Sequence, residues 1–276
     1  MKLTYPQSSA IFFGFDSAWT DAPRNPGAIC AISFSPQGVV RFDEPRFVSF
    51  DQAAAYVEAA SGGFAYSLVA VDQPTVVPNQ TGSRPVDKVA GSLVSFIGGG
   101  VQPANRGKRG MFCDASPIWR FLAALDYPQR PLEARAATAG RHLIEVFPAL
   151  ALPALNASFA RRLAAPKYNP QNRKKFRRDH WSSVATTIAL NADALAVDDL
   201  RDWATDMALI TAPRKADQDR LDAALCALIG LIWRAGPPNA AACIGDVGSG
   251  YMVTVLSDAT RDRLRGAALK RGVPFS

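Results

Sequence analysis

The chain has 276 residues, 48% hydrophobic and 20% charged, a globular balance that allows a sizeable core and excludes a disordered, collagenous or densely cross-linked protein. Its formal net charge of +7 permits attraction to phosphate-rich partners. The four cysteines, Cys30, Cys113, Cys226 and Cys243, form no C-x-x-C pair, which speaks for a reducing compartment and against zinc or disulfides. No apolar run reaches the ~20 residues of a membrane span, and the N-terminus lacks a signal-peptide pattern. The expected location is the cytoplasm.

Met1 to Ala10 read as a polar lead-in, and Ile11 to Phe15 as a strand buried on both faces that ends in Asp16. Ala28 to Phe34 resumes as a second strand, Ser35-Pro36-Gln37-Gly38 as a turn, and Val39 to Phe42 as a third strand. The spacing predicts an antiparallel meander. Helical periodicity takes over from Phe50 to Ala60, with Asp51 as N-cap and Gly62-Gly63 as the stop. The fourth strand, Ser67 to Val71, ends in Asp72-Gln73-Pro74; because it follows a helix, it is expected to run parallel to the first strand through a right-handed crossover.

Val77 to Ser116 reads as a long irregular segment around one short helix. Trp119 to Leu125 is a short helix, and Arg141 to Phe147 a fifth strand with Glu145 near its end. Ala149 to Leu163 is apolar and mixed, and a basic stretch without acids follows from residue 161 to 178. Helical spacing returns over Asp179 to Leu195 and Asp198 to Met207. Asp217 to Trp233 is the clearest helix, capped by Asp217, with Asp219 and Asp222 three apart and the remainder apolar nearly all round. Gly245 to Gly250 reads as a loop, Tyr251 to Leu256 as a strand, and Asp258 to Arg271 as a basic helix. The organisation expected is a single α/β domain over residues 1–276 with a helical and basic insertion around 149–215.

Five acids stand at element ends: Asp16, Asp72, Glu145, Asp219 and Asp222. In an open α/β sheet the strand ends form the ligand crevice, where acids far apart in sequence converge. Buried carboxylates in a group cost several kcal/mol apiece unless a cation neutralises them, and oxygen-only ligands suit Mg²⁺ or Mn²⁺. Two such ions ~4 Å apart activate a water and stabilise the leaving oxygen of a phosphodiester. Phosphodiester hydrolysis follows as the expectation.

The motifs Gly14-Phe15-Asp16, Val71-Asp72-Gln73-Pro74 with Arg84 downstream, Glu145-Val146-Phe147-Pro148 and Asp219-Arg220-Leu221-Asp222-Ala223 occur in the order found in predicted RNase H-like nucleases known as domain of unknown function 429, and the chain resembles that family from about Ile11 to Leu256. The resemblance implies an RNase H-like mixed sheet, an antiparallel three-strand meander continuing into parallel strands, flanked by helices. The D-x-x-D opening a late helix is similar to Holliday-junction resolvases of that superfamily. By this likeness Asp16, Asp72, Asp219 and Asp222 are metal ligands, and Glu145, matching E-x-x-P, is either a further catalytic acid or an anchor for its strand end.

Nucleic acid, DNA or RNA, is the expected substrate and partner. Arg84 reads as a phosphate contact or as half of a surface salt bridge, and Arg214 and Lys215 share that ambiguity. Arg173, Lys174, Lys175, Arg177 and Arg178 could track a nucleic-acid backbone, with Tyr168 and Phe176 stacking on bases, or form a solvated face. Two other function classes remain: a non-catalytic nucleic-acid-binding protein on the same fold, and a phosphotransferase of the actin-like superfamily, for which the second glycine-rich phosphate loop is missing.

Overall fold

β1 (Ala10–Asp16) is buried along its whole length, and its side chains divide by strand alternation between two cores. Ala10 and Phe12 face one core; Ile11, Phe13 and Phe15 face the other. The computed structural model describes residues 8–276 except Ala18, Pro23 and Asn25, so the part of the expected lead-in over residues 1–7 lies outside the described residues.

β1 pairs antiparallel with β2 (Gly27–Phe34), which pairs antiparallel with β3 (Val40–Val48). On its other side β1 pairs in parallel with β4 (Tyr66–Val71), which pairs in parallel with β5 (Gly140–Glu145). The sheet order β3-β2-β1-β4-β5 is thus a meander continuing into parallel strands, the layout expected of an RNase H-like sheet. The third strand runs six residues beyond the expected Phe42, past a bulge opposite Ile29 and Ala31 that accommodates Pro45. Exposed Arg41, Asp43, Glu44 and Arg46 keep this edge charged.

One face of the sheet is covered by α1 (Phe50–Ser61) and α3 (Pro117–Leu125), with the Phe15, Phe50 and Phe121 rings packed together. Ser49, rather than Asp51, caps α1, in a reciprocal box with Gln52. The other face carries α8 (Lys215–Ala235), buried throughout from Leu221 to Trp233. Outside α8 lie α5 (Pro148–Leu155), α6 (Arg178–Ala194) and α7 (Asp198–Leu209). β6 (Ala241–Asp246) and β7 (Gly250–Val255) form a hairpin joined to the β5 end by a Val146–Val253 bridge, and α2 (Pro85–Val94) and α9 (Asp258–Leu269) pack beside it. Sequence reading missed β6, whose Ala-Ala start carries no β signal, and the single-turn α4 (Pro131–Ala136). No helix among the described residues is long and apolar enough to cross a membrane.

Gly14 and Gly230 set the height of α8 above the sheet. A Cβ on Gly14 would stand 2.0 Å from the Ala223 carbonyl oxygen and 2.3 Å from the Ala227 amide nitrogen, so only a bare backbone fits there. A Cβ on Gly230 would stand 3.3 Å from Ala70 Cβ. Gly14→Ala is therefore expected to lift the helix and cost about 3 kcal/mol, the upper end for overpacking. Urea unfolding checks this, and an unchanged midpoint would contradict it.

Candidate active site

The parallel register of β1 and β4 sets the first two acids side by side. Phe15 pairs with Val71, so Asp16 and Asp72 are the next residues on each strand, and the Asp72 amide donates to the Phe15 carbonyl at 2.8 Å. Immediately beyond them, Ser17 Oγ donates to Gln73 Oε1 at 2.5 Å, clasping the two strand ends in the interior. Alternation sends Asp16 to the face of Gly14 and Phe12, which is the face α8 covers. The seating of Ala223 on Gly14 brings Asp222, the residue before it, and Asp219, one turn earlier on α8, over the same strand ends.

Asp16, Asp219 and Asp222 are 5%, 2% and 6% exposed, and Asp72 is half-buried. Burial pushes the Asp16 carboxyl well above its usual range, and Asp72, Asp222 and Asp219 push it further. Burial, then the Asp222 charge, does the same to Asp72. Asp222 is pushed up to about 6, chiefly by burial, against opposing help from Lys215, Tyr168 and Gln218. Tyr168 Oη donates to its Oδ1 at 2.6 Å and Gln218 Nε2 to its Oδ2 at 3.0 Å. By contrast, no donor among the described residues reaches the carboxylate of Asp16 or Asp72.

Lys215 is the cation of this group. Its Nζ donates to Asp219 Oδ1, and its charge also acts on Asp16, Asp72 and Asp222. Burial works against the ammonium, but Asp16, Asp219 and Asp222 outweigh it and hold its proton more tightly than usual. The i,i+4 spacing of Lys215 and Asp219 was readable in the sequence as a helical ion pair; their burial beside Asp16 was not. Four carboxylates against one ammonium leave an excess of negative charge in the interior. Oxygen-only donors, two of them without a hydrogen-bond donor among the described residues, are the kind of ligand a hard divalent cation takes. They are not gathered for one, since no group of three or more His, Cys, Asp or Glu side chains among the described residues stands in a metal-holding arrangement.

Glu145 is not part of this group. It pairs with Val71, so alternation turns it to the Phe15 face, although its charge still adds to the upward push on Asp72. Both its oxygens are taken: Arg84 Nη2 donates to Oε1 at 2.6 Å, and Arg84 Nη1 and the Thr75 amide each donate to Oε2 at 2.9 Å. Arg84 is wholly buried and also bonds Asp87 Oδ1 and the Val76 carbonyl, which removes it from the phosphate contacts anticipated for it. Burial works against its charge, but Glu145 and Asp87 outweigh it and hold the guanidinium above its ordinary value. Burial pushes the Glu145 carboxyl up against the pull of Arg84. Arg84, Glu145 and Asp87 thus lock the strand-end loop to α2.

Within the basic stretch, Arg173, Lys174 and Lys175 are exposed and make no side-chain hydrogen bond or ion pair among the described residues. Arg177 is held by Asp179, and Arg178 by Ser182 and the Ala208 carbonyl. Tyr168, expected to stack on bases, is 8% exposed with its hydroxyl on Asp222, and Phe176 packs half-buried against the core. Both corrections have one cause: this segment folds down onto α8.

Two measurements follow. Glu145→Gln leaves Arg84 buried with only Asp87 and is expected to cost about 3 kcal/mol of unfolding free energy, the low end for breaking a buried pair; an unaltered urea midpoint would refute the assignment. Because the folded chain holds the Asp222 proton more tightly than the unfolded one, this group's stabilisation is complete below about 4 and is lost as pH rises through about 6. In thermal melts of metal-free protein, Asp222→Asn should therefore gain stability relative to wild type across that interval, and a pH-independent difference would contradict it.

A family model described as Protein of unknown function (DUF429) matches residues 14–246, from the middle of β1 to the end of β6. No curated protein and no solved structure matches the chain. The matched span contains all five acids, and with more than half of its length covered the chain belongs to the DUF429 family.

Proposed function

We propose that the protein is a metal-dependent nuclease of RNase H-like type that hydrolyses phosphodiester bonds of nucleic acid. The observation that carries this reading is the excess of carboxylate at one strand-end crevice where, among the described residues, Asp16 and Asp72 have no hydrogen-bond donor and Lys215 is the counter-charge. Asp16, Asp72, Asp219 and Asp222 would hold Mg²⁺ or Mn²⁺, which when bound supplies a water nucleophile at neutral pH and stabilises charge at the leaving oxygen. The protein's own contribution is placement. The strand register and the Ser17–Gln73 clasp fix Asp16 and Asp72, and Tyr168 and Gln218 fix the rotamer of Asp222. Lys215 balances part of the charge and stands within reach of an incoming phosphate oxygen once its bond to Asp219 is exchanged. Arg173, Lys174 and Lys175 lie on the segment that seats Tyr168 and attract a polyanion towards the crevice.

A non-catalytic nucleic-acid-binding protein on the same fold is the second reading, favoured by the lack of a ready-made metal arrangement among the described residues. The two separate cleanly. Mg²⁺ or Mn²⁺ is expected to raise the melting temperature and to support cleavage of single-stranded or branched DNA or RNA, while Asp16→Asn and Asp72→Asn abolish the shift and lower cleavage by about 100-fold or more. If neither ion shifts the melt or supports cleavage, the nuclease reading fails.

A further inference from the structure

A cavity of about 210 Å³ opens beside the acid group, with Asp72 in its wall. Glu145, whose oxygens are held by Arg84 and the Thr75 amide, also lines it, and the side chains of Trp19, Pro74, Val101, Phe147 and Met252 make the rest of the wall mostly apolar. A concave, largely apolar wall with a few polar groups at one end suits a flat apolar ligand that carries a polar edge. Gln102, exposed, also lines it; its Nε2 donates to Met111 Sδ at 3.6 Å, which leaves a second amide hydrogen and the amide oxygen to meet a ligand edge.

Trp19 sits at the mouth under constraint. Its backbone is left-handed, with φ 64°, a region bulky side chains rarely adopt. Its indole is half-buried and meets the Phe112 ring edge at 5.5 Å, and its amide donates to Ser17 Oγ, the hydroxyl that clasps the ends of β1 and β4. The ring is therefore tied to the same strand ends that deliver Asp16 and Asp72. A costly backbone conformation that presents an aromatic ring at a crevice is the kind of strain that marks binding positions.

We propose that this cavity is a nucleobase subsite: it takes the base of the nucleotide whose phosphodiester lies at the acid group, stacked on Trp19 and met at its edge, without selection of base, by Gln102. The inference rests on the nuclease reading for the position of the phosphate, and it names the substrate as a strand with accessible, unpaired bases. A hydrocarbon ligand would use the walls but not the carboxylate end or the amide rim; a base joined to a phosphate uses all three. Base–aromatic stacking is indifferent to sequence, so the subsite predicts tolerance of base identity.

The test compares labelled hexathymidylate with a hexamer of tetrahydrofuran abasic units, by fluorescence anisotropy on the full chain, with hexauridylate as the RNA arm. Wild type is expected to bind the base-bearing strand about tenfold or more tightly over the abasic one, the order of one stacking contact. Trp19→Ala should erase that preference and Trp19→Phe keep most of it. Val101→Trp, which fills the cavity, should erase it without lowering the melting temperature. Equal affinity of wild type for the two strands, binding of neither, or a Trp19→Ala protein of native circular dichroism that keeps the preference would each overturn the proposal. Failure of the nuclease reading looks different: the base preference is present and no strand is cut with Mg²⁺ or Mn²⁺. Cleavage that ignores the missing bases removes the subsite and leaves the nuclease reading standing.

Discussion

At Gly14 a strand and a helix meet backbone to backbone. The position Cβ would occupy is already filled by the Ala223 carbonyl and the Ala227 amide, so α8 lies lower over β1 than any side chain would permit. This close approach carries the rest. Two residues on, Asp16 turns to the same face, and on α8 Asp222, next to Ala223, and Asp219, one turn back, come down over it. Asp72 arrives from the neighbouring strand through a register fixed by continuous parallel pairing and closed by Ser17 and Gln73. A buried group of like charges is thus assembled by apolar packing, which tolerates what electrostatics alone would push apart.

The molecule contains two buried charged groups at neighbouring strand ends, and they are balanced differently. Arg84 meets Glu145 with two parallel hydrogen bonds and Asp87 with a third contact, so every strong donor has an acceptor. Around Lys215, four carboxylates share one ammonium, and two of them have no hydrogen-bond donor among the described residues. The first is a satisfied network whose evident role is to hold a loop. The second is not balanced in this way, and Asp16, Asp72 and Asp222 are held at raised pKa by burial and by neighbouring carboxylates.

Much of this was legible in the sequence because it rests on short-range pattern. The apolar runs ending in Asp16 and Asp72, the meander spacing and the all-round apolar helix each follow from strand or helix period. The separation of Glu145 from the other acids was not readable: aligned by the ends of their apolar runs the three acids fall level, and only the β4–β5 register, which sets Glu145 beside Val71 instead of Asp72, turns it to the opposite pleat. The fates of Arg84 and Tyr168 were not readable. Arginine in a polar loop and tyrosine in a basic stretch are surface residues by default, and only the return of distant segments onto Glu145 and Asp222 buries them. Ser49 was available as a cap, since Ser-x-x-Gln is a capping box, and Asp51 drew attention by charge alone.

Helix beginnings usually fray, and acids placed there share that looseness. α8 differs because its apolar body, from Leu221 to Trp233, is enclosed on every side by the sheet and the outer helices. Local opening of such a helix exposes the main core, so its lowest-energy route to opening is global unfolding, and its amides belong to the slowest-exchanging class in the protein. Asp222 lies inside that body and Asp219 one turn from it. Both are therefore held with the stability of the whole molecule, and any conformational freedom at the crevice belongs to the loops around it.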